Sequence, residues 1–252
     1  MKEQRLKNIE KYLKEKEVCH LDELSERFNV SKITIRRDVE SLCSLGVSEK
    51  VYGGVKYIGS SESSETVPFL NRANESVEAK NKIGEIAASL VNEGDTIFID
   101  SGTTTIKLLD YIGDKKINVI SASVPVINRC AKMENVSLIS TGGEFLKHTN
   151  SFVGELPLNA MEIYNFNKAF MAATAVHHYY GFTNSSAYET KIKKKAVMKS
   201  KESFVMFSSD KCNKFSLSTF ATFQDIKGII TDKEPTKEIL NVLKKINKDI
   251  YI

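Results

Sequence analysis

The stretch "LDELSERFNVSKITIRRDVESL", residues 21–42, decides how the first part of the chain is read. Leu21, Leu24 and Phe28 recur on one helical face, and Asp22 and Glu23 lie in the first turn, where carboxylates suit the positive end of the helix dipole. Asn29 is placed to stop that helix, because asparagine tolerates the left-handed conformation just past a helix end. Ser31 is placed to cap the next helix. In that helix Ile35, Val39 and Leu42 form an inward stripe, while Lys32, Thr34, Arg36, Arg37 and Glu40 face outward. Asp38 would repel phosphate, so it is assigned to holding a neighbouring arginine.

Working outward, Leu6, Ile9 and Leu13 give an earlier helix, and Val18 to His20 a short extended stretch. Gly46 ends the third helix. "VSEKVYGGV" then reads as a strand, a charged turn and a strand. Three helices with a tight turn between the second and third form a helix-turn-helix, whose third helix lays its first residues against base edges in the DNA major groove. Ser31 and Thr34 offer hydroxyls to phosphates or bases. Arg36 and Arg37 suit phosphate or bidentate guanine contacts. In the wing, Lys50 and Tyr52 reach the DNA backbone, and Gly53 and Gly54 allow close approach. A basic pair on a helix is more often a solvated face. The order of helices, the stop residue, the cap and the wing together favour a DNA reader.

The bulk numbers fit two parts. The chain has 252 residues, 41% hydrophobic and 27% charged, with a net charge of +4 and a pI near 8.7. That is ordinary globular composition, and too mildly basic to argue for nucleic acid by itself. No signal peptide and no apolar run of about 18 residues is visible, so a cytoplasmic protein without a membrane span is expected. Cys19, Cys43, Cys130 and Cys212 are scattered, which suits buried thiols in a reducing compartment better than a zinc site. "GSSESSETVPFLNRANES", residues 59–76, has linker composition. The expected division is a winged helix-turn-helix domain over 1–58, a linker over 59–76 and a second domain over 77–252.

From Val77 onward, helical and strand patterns alternate. "TIFID", "KINVIS", "VSLIST", "KAFMAA", "SFVMFSS", "IKGIITD" and "DIYI" read as strands separated mostly by helices. This is an α/β domain with a doubly wound, mostly parallel sheet, whose ligands bind beyond the carboxyl ends of the strands. Those ends are small, hydroxylated or glycine-rich. "FIDSGTTT", residues 98–105, reads as a strand, a glycine turn and hydroxyls opening a helix, which can cradle an anion or simply cap the helix. "ISAS", "STGGEF" and "SSDKCNK" follow at later ends, with Lys211 supplying a cation beside Asp210. A small polyol carrying a phosphate fits that inventory. His177 and His178 have no nearby cysteine and only Glu189 as an acid partner in the following segment, so neither a metal nor a cofactor is expected. Lys191, Lys193, Lys194, Lys195 and Lys199 read as a solvated helix face, with Glu189 and Lys193 able to pair four residues apart.

The motifs from Glu17 to Val55, "LDELSERFNVSKITIRRDVESLCSLG" followed by "KVYGGV", resemble the DNA-binding domain of DeoR-family bacterial transcription regulators. Lys50 stands where an arginine is usual, Tyr52 where a histidine is usual, and His20 where a capping serine is common. Lys50 keeps the charge without the planar fork, so its contact is read as one to phosphate. "GDTIFIDSGTTT", "TGGEF", "GELP", "SSDK" and "GIITD" are similar to the family's effector domain, which is related to the ribose-5-phosphate isomerase fold and senses phosphorylated sugars. The resemblance implicates Asp100, Ser101, Gly102, Thr103, Thr104 and Thr105 as a phosphate loop, together with Gly142, Gly143, Asp210, Lys211 and, near the domain start, Lys80. It is patchier over 164–188, where Asn167 and Lys168 replace a frequent acid, and the sugar stays open.

Two functions are carried forward. One is a repressor of sugar-metabolism genes that binds operator DNA as a homo-dimer or tetramer and answers to a phosphorylated sugar. The other is a sugar-phosphate isomerase with an accessory DNA-binding domain. Enolisation needs a positioned carboxylate base. Asp100 and Asp210 are the acids at the strand ends that can be placed, and none clusters around "KAFMAATAV", so binding without turnover is expected.

Overall fold

Asp38 lies in the middle of the third helix, yet it is only 1% exposed. It explains how the first unit is put together. In the computed structural model, which describes residues 2–16, 18–44, 48–51, 53–57 and 69–252, the chain forms two compact units, 1–65 and 66–252. The first contains α1 (Lys2–Lys16), β1 (Val18–His20), α2 (Leu21–Arg27), α3 (Lys32–Ser44), β2 (Ser48–Val51) and β3 (Gly54–Tyr57). The strands form an antiparallel sheet in the order β1-β3-β2. Ile9, Leu13, Leu24, Ile35, Val39, Leu42 and Val55 share one core, so the expected inward stripe of α3 is buried. Asn29 stops α2 with φ +49°, and the Ser31 hydroxyl accepts from the Thr34 amide at 3.3 Å. Asp38 does hold an arginine, but one from α1. Arg5 donates from Nε to Oδ2 at 2.6 Å and from Nη2 to Oδ1 at 3.3 Å, which fixes α3 against the first helix. Gly46 and Tyr52 lie outside the described residues.

The second unit runs α4 (Phe69–Ala73), α5 (Val77–Ser89), β4 (Thr96–Ile99), β5 (Ile117–Ser121), α6 (Val124–Cys130), β6 (Val136–Ser140), β7 (Glu144–Leu146), β8 (Ser151–Val153), α7 (Glu155–Ile163), β9 (Phe166–Ala172), β10 (Ala175–His177), β11 (Gly181–Asn184), α8 (Ala187–Met198), β12 (Ser200–Met206), β13 (Ser218–Ala221), β14 (Gly228–Ile230), α9 (Lys237–Lys245) and β15 (Asp249–Tyr251). Seven strands form one parallel sheet in the order β15-β14-β12-β9-β4-β5-β6. Its central strands carry long apolar runs because both faces are covered. Phe98, Ala169, Met171 and Val205 pack on one face, while Ile97, Ile99, Phe170, Phe204 and Met206 pack on the other, as the two-residue strand period requires. The chain builds outward from β4 through β5 and β6, then crosses to β9 and builds the other way. The carboxyl ends of β4 and β9 therefore flank the switch point, where such sheets leave a crevice.

Three expectations are corrected. The hydroxyls of "SGTTT" do not open an α-helix. A 3-10 turn over Thr105–Asp110 follows, because the Thr105 hydroxyl donates to the carbonyls of Asp100 and Gly102 at 2.7 and 2.9 Å and tightens the chain there. Part of the stretch read as linker is helical: α4 is seated through Phe69, which is buried and whose amide donates to the His148 carbonyl at 3.0 Å. Two small antiparallel sheets, β7-β8 and β10-β11-β13, were not foreseen, since strands of three or four residues carry too little alternation to be read. If the Arg5–Asp38 pair anchors α3, Asp38→Asn will lower the melting temperature of the first unit more than Asp22→Asn, whose pair with Lys32 is exposed. Equal shifts in scanning calorimetry would contradict that role.

Candidate DNA-reading face and sensor site

On α3, residues 33, 36, 37 and 40 lie three and four apart and so share one face. Arg36, Arg37 and Glu40 are exposed, and Ile33 is 65% exposed. Sequence reasoning passed over Ile33, although an apolar side chain beside two arginines suits the methyl group of thymine. Lys32 pairs with Asp22 at 2.8 Å, and Lys50 of the wing pairs with Glu40 at 3.0 Å. Ser31 and Thr34 share a hydroxyl hydrogen bond of 2.9 Å. Both wing glycines have reasons within the fold. Gly53 sits at φ +77°, and a Cβ on Gly54 would lie 2.4 Å from the Cys19 carbonyl oxygen on the paired strand.

In the second unit, the switch-point crevice is lined by Asp100, Ser101, Ala122, Ser151, Phe152, Glu189 and Ile192, around roughly 190 Å³ of empty space. Asp100 follows β4. Its carboxylate accepts from the Ala172 amide at the end of β9 at 2.9 Å and forms a buried ion pair with Lys193 of α8. Lys193 also donates to the Ala172 carbonyl at 3.0 Å. Glu189, one turn earlier on α8, accepts from Ser101 at 2.8 Å and from Ser151 and Asn184 at 3.2 Å. Burial pushes its carboxyl up, but the Lys193 charge and the bonds from Ser101 and Asn184 outweigh that and hold it below the ordinary range. Glu189 is therefore an anion inside the fold. Nearby in sequence, the Ser185 hydroxyl is buried with no hydrogen-bond partner among the described residues.

This arrangement corrects the reading of α8. Residues 189, 192, 193, 196 and 197 are all buried, the spacing of a single inward face. Lys193 belongs to that face, not to the solvated one, and its partner is Asp100 instead of Glu189. Lys191 and Lys194 are exposed as expected.

Arg72, Lys80 and Lys211 share an electrostatic neighbourhood with Glu75, Asp210, Glu189 and Asp100. Lys211, in the turn after β12, is brought down to about 8, chiefly by burial, with Arg72 and Lys80 adding repulsion and Asp210 opposing it. Burial also lowers Arg72 and Lys80, and Arg72 feels the carboxylates of Glu189 and Asp100. Lys80 is buried, and its ammonium donates to the carbonyls of Arg72 and Glu75, the latter at 2.6 Å. Arg72 fell in the expected linker and was missed. A lone arginine in a serine- and glutamate-rich run gives no signal of its own.

The remaining implicated residues are placed as follows. Ser101, Thr103, Thr104 and Thr105 are buried in the turn after β4. Among the described residues, no side-chain hydrogen bond engages the hydroxyls of Thr103 and Thr104. Gly102 is packed so closely that a Cβ would come within 2.2 Å of the Ala172 Cβ, tying the ends of β4 and β9 together. Gly142 and Gly143 adopt φ +61° and +125° beside β7. Asp210 is exposed. His177 and His178 stack at 4.3 Å, away from any group of three metal-ligating side chains among the described residues.

A model described as the DeoR-like helix-turn-helix domain matches residues 5–61, and one described as the DeoR C terminal sensor domain matches residues 75–233. The chain belongs to the DeoR family. It is 38% identical over 234 residues to the HTH-type transcriptional regulator IolR of Bacillus subtilis, covering 92% of each protein. It is 30% identical over 245 residues to the lactose phosphotransferase system repressor of Streptococcus mutans, covering 96% of this chain and 97% of that one. Ribose 5-phosphate isomerase A from Methanocaldococcus jannaschii overlaps 55% of each chain at a TM-score of 0.41 and 16% identity, too partial a likeness to carry an argument. The DeoR-family chain is thus a transcriptional regulator with a DNA-binding unit and a sensor unit. Among the described residues, no helix is long and apolar enough to cross a membrane.

If Lys193 is what makes a buried Asp100 tolerable, Lys193→Met will cost about 3–5 kcal/mol by leaving that charge uncompensated. Adding Asp100→Asn should recover part of the loss. Denaturant unfolding of the two variants checks both outcomes, and full additivity would show that the pair is not coupled.

Proposed function

We propose that this regulator is a cytoplasmic repressor of sugar-metabolism genes, released from or retained on its operator by a phosphorylated sugar held at the switch-point crevice. The observation that carries the reading is the crevice at the ends of β4 and β9, lined by Asp100, Ser101, Ser151 and Glu189, with Arg72 within electrostatic reach of both carboxylates and Lys211 desolvated in the turn after β12. A partly desolvated cation favours an anionic ligand group. The carboxylates, with Ser101, Ser151 and Asn184, offer acceptors and donors for hydroxyls. The Thr103 and Thr104 hydroxyls, the turn at Gly102 and the glycines at 142–143 complete the phosphate side, with Asp210 at the rim. Asp100 and Thr105 shape the turn from inside. The name of the S. mutans relative, a lactose phosphotransferase system repressor, agrees with a sugar-responsive role.

The isomerase alternative is disfavoured by the same geometry. Asp100 is locked by Lys193 and the Ala172 amide. Glu189 is held ionised by three donors and a nearby ammonium, which makes it a weak proton acceptor. For DNA, Ser31, Lys32, Thr34, Arg36, Arg37, Lys50 and Tyr52 remain the contact set, to which Ile33 is added. One recognition helix reads one half-site, so a homo-dimer or tetramer completes the operator complex.

Arg37→Ala should weaken operator binding about 5- to 150-fold, the equivalent of about 1–3 kcal/mol, and leave the thermal shift produced by a sugar phosphate intact. Unchanged DNA affinity in a gel-shift titration would overturn the groove assignment. Lys211→Gln should bind operator normally and lose the response to the sugar phosphate. The pH dependence has a definite sign. The Lys211 ammonium is lowered to about 8, so it is charged below that pH and discharges above it. Sugar-phosphate affinity measured by calorimetry should therefore hold up to about pH 8 and fall above it, by at most about tenfold per unit for the one proton linked to binding. An affinity that stays flat from pH 7 to 9.5 would remove Lys211 from the site.

A further inference from the structure

One wall of the crevice lies outside the seven-stranded sheet. Asp100 and Ser101 follow β4, while Glu189 and Ile192 sit on α8, which the Lys193–Asp100 pair docks on the strand ends. Ser151 and Phe152 belong instead to the β7-β8 hairpin, a two-stranded sheet of its own. Gly142, two residues before β7, and Gly154, directly after β8, adopt φ +61° and +97°. A Cβ at either would meet nothing within 4 Å, so these glycines serve the backbone conformation and not packing. The hairpin is thus bracketed by two points of backbone freedom.

Main-chain bonds tie the hairpin to the loop after β5. The Phe152 amide donates to the Ala122 carbonyl at 2.7 Å, and the Val124 amide to the Asn150 carbonyl at 2.9 Å. The Ser151 hydroxyl also ties it to α8, donating to Glu189 Oε1 at 3.2 Å. Three observations single out this bond as one a ligand can take over. Ser101 donates to the same oxygen at 2.8 Å, so Ser151 makes the longer of the two bonds. Ser151 shares a second hydrogen bond of 2.7 Å with Thr149, so it stays partnered when Glu189 is lost. Glu189 keeps Ser101 and Asn184 in the same event, so its buried charge stays bonded. A ligand hydroxyl donating to Glu189 in place of Ser151 therefore leaves both residues hydrogen-bonded, and it frees the wall whose displacement widens the crevice.

We propose that Glu189 is the residue that reads a hydroxyl of the ligand's polyol and that Ser151 holds its place until the ligand arrives, which makes the β7-β8 hairpin the gate of the crevice. The proposal rests on the reading of the crevice as a polyol-phosphate site. It requires the ligand to bind the unlatched hairpin better than the latched one, the differential affinity that any ligand-driven change needs.

Isothermal titration of the full chain tests it, with glucose 6-phosphate, fructose 6-phosphate and ribose 5-phosphate as probes and inorganic phosphate as the probe without a polyol. Ser151→Ala removes the bond that the ligand must break, so it should tighten binding of a sugar phosphate about 2- to 12-fold, the range of one net hydrogen bond, and leave inorganic phosphate unaffected. Glu189→Gln should bring the affinity for the sugar phosphate down toward that for inorganic phosphate. Hydrogen–deuterium exchange over residues 144–153 should be faster in Ser151→Ala without any probe, and in the unmodified chain it should rise when the sugar phosphate saturates the site. Equal or weaker sugar-phosphate binding by Ser151→Ala overturns the gate and leaves the polyol-phosphate site standing. Unaltered exchange over 144–153 in that variant overturns the latch, and sugar-phosphate affinity retained in a folded Glu189→Gln chain overturns the role of Glu189. No binding of any sugar phosphate in the panel by the unmodified chain overturns the site and the gate together. If Ser151→Ala does not fold, the unmodified chain decides: exchange over 144–153 that slows or stays constant on binding overturns the gate.

Discussion

The sensor unit depends on one buried ion pair. Lys193 and Asp100 meet where the ends of β4 and β9 diverge, and each also bonds to Ala172, the lysine to its carbonyl and the aspartate to its amide. Two charges out of water are costly, and they are tolerated here because they pair with each other and each makes a further bond to the Ala172 backbone. The pair fixes the separation of the two central strands at their carboxyl ends and docks α8 across them. Glu189, one turn away, then has no choice of position, and Ser101, Ser151 and Asn184 converge on it. The crevice is thus walled by polar contacts at the ends of the central strands.

That rigidity sits next to a region that is electrostatically uneasy. Arg72, Lys80 and Lys211 are partly desolvated, and the carboxylates of Glu75, Asp210, Glu189 and Asp100 offset part of that cost. The crevice is narrow in this structure, so a sugar phosphate must widen it to bind.

How much of this was legible in the sequence follows from the length scale of each signal. The recognition helix announced itself because Ile35, Val39 and Leu42 repeat over two turns, between a stop residue and a glycine pair. The parallel sheet did so because its apolar runs are long enough to be read. Lys193 was misassigned because composition was weighed over register. Its neighbours at 189, 192, 196 and 197 place it on the inward face, which a stricter reading of the helical period would have shown. Arg72 and Lys80 could not be joined by sequence at all, since their connection runs through backbone carbonyls at the end of a five-residue helix. The 3-10 turn after β4 escaped because a threonine that caps helices elsewhere here bonds backward to its own turn.

The central claim is that the crevice is built for a phosphate on a polyol. The most direct measurement is isothermal titration of the full chain with matched pairs of sugars, each with and without its phosphate. The account predicts heat and saturable binding for at least one phosphorylated member and none for its unphosphorylated partner. Equal binding of both members of every pair, or binding of neutral sugars alone, would contradict it.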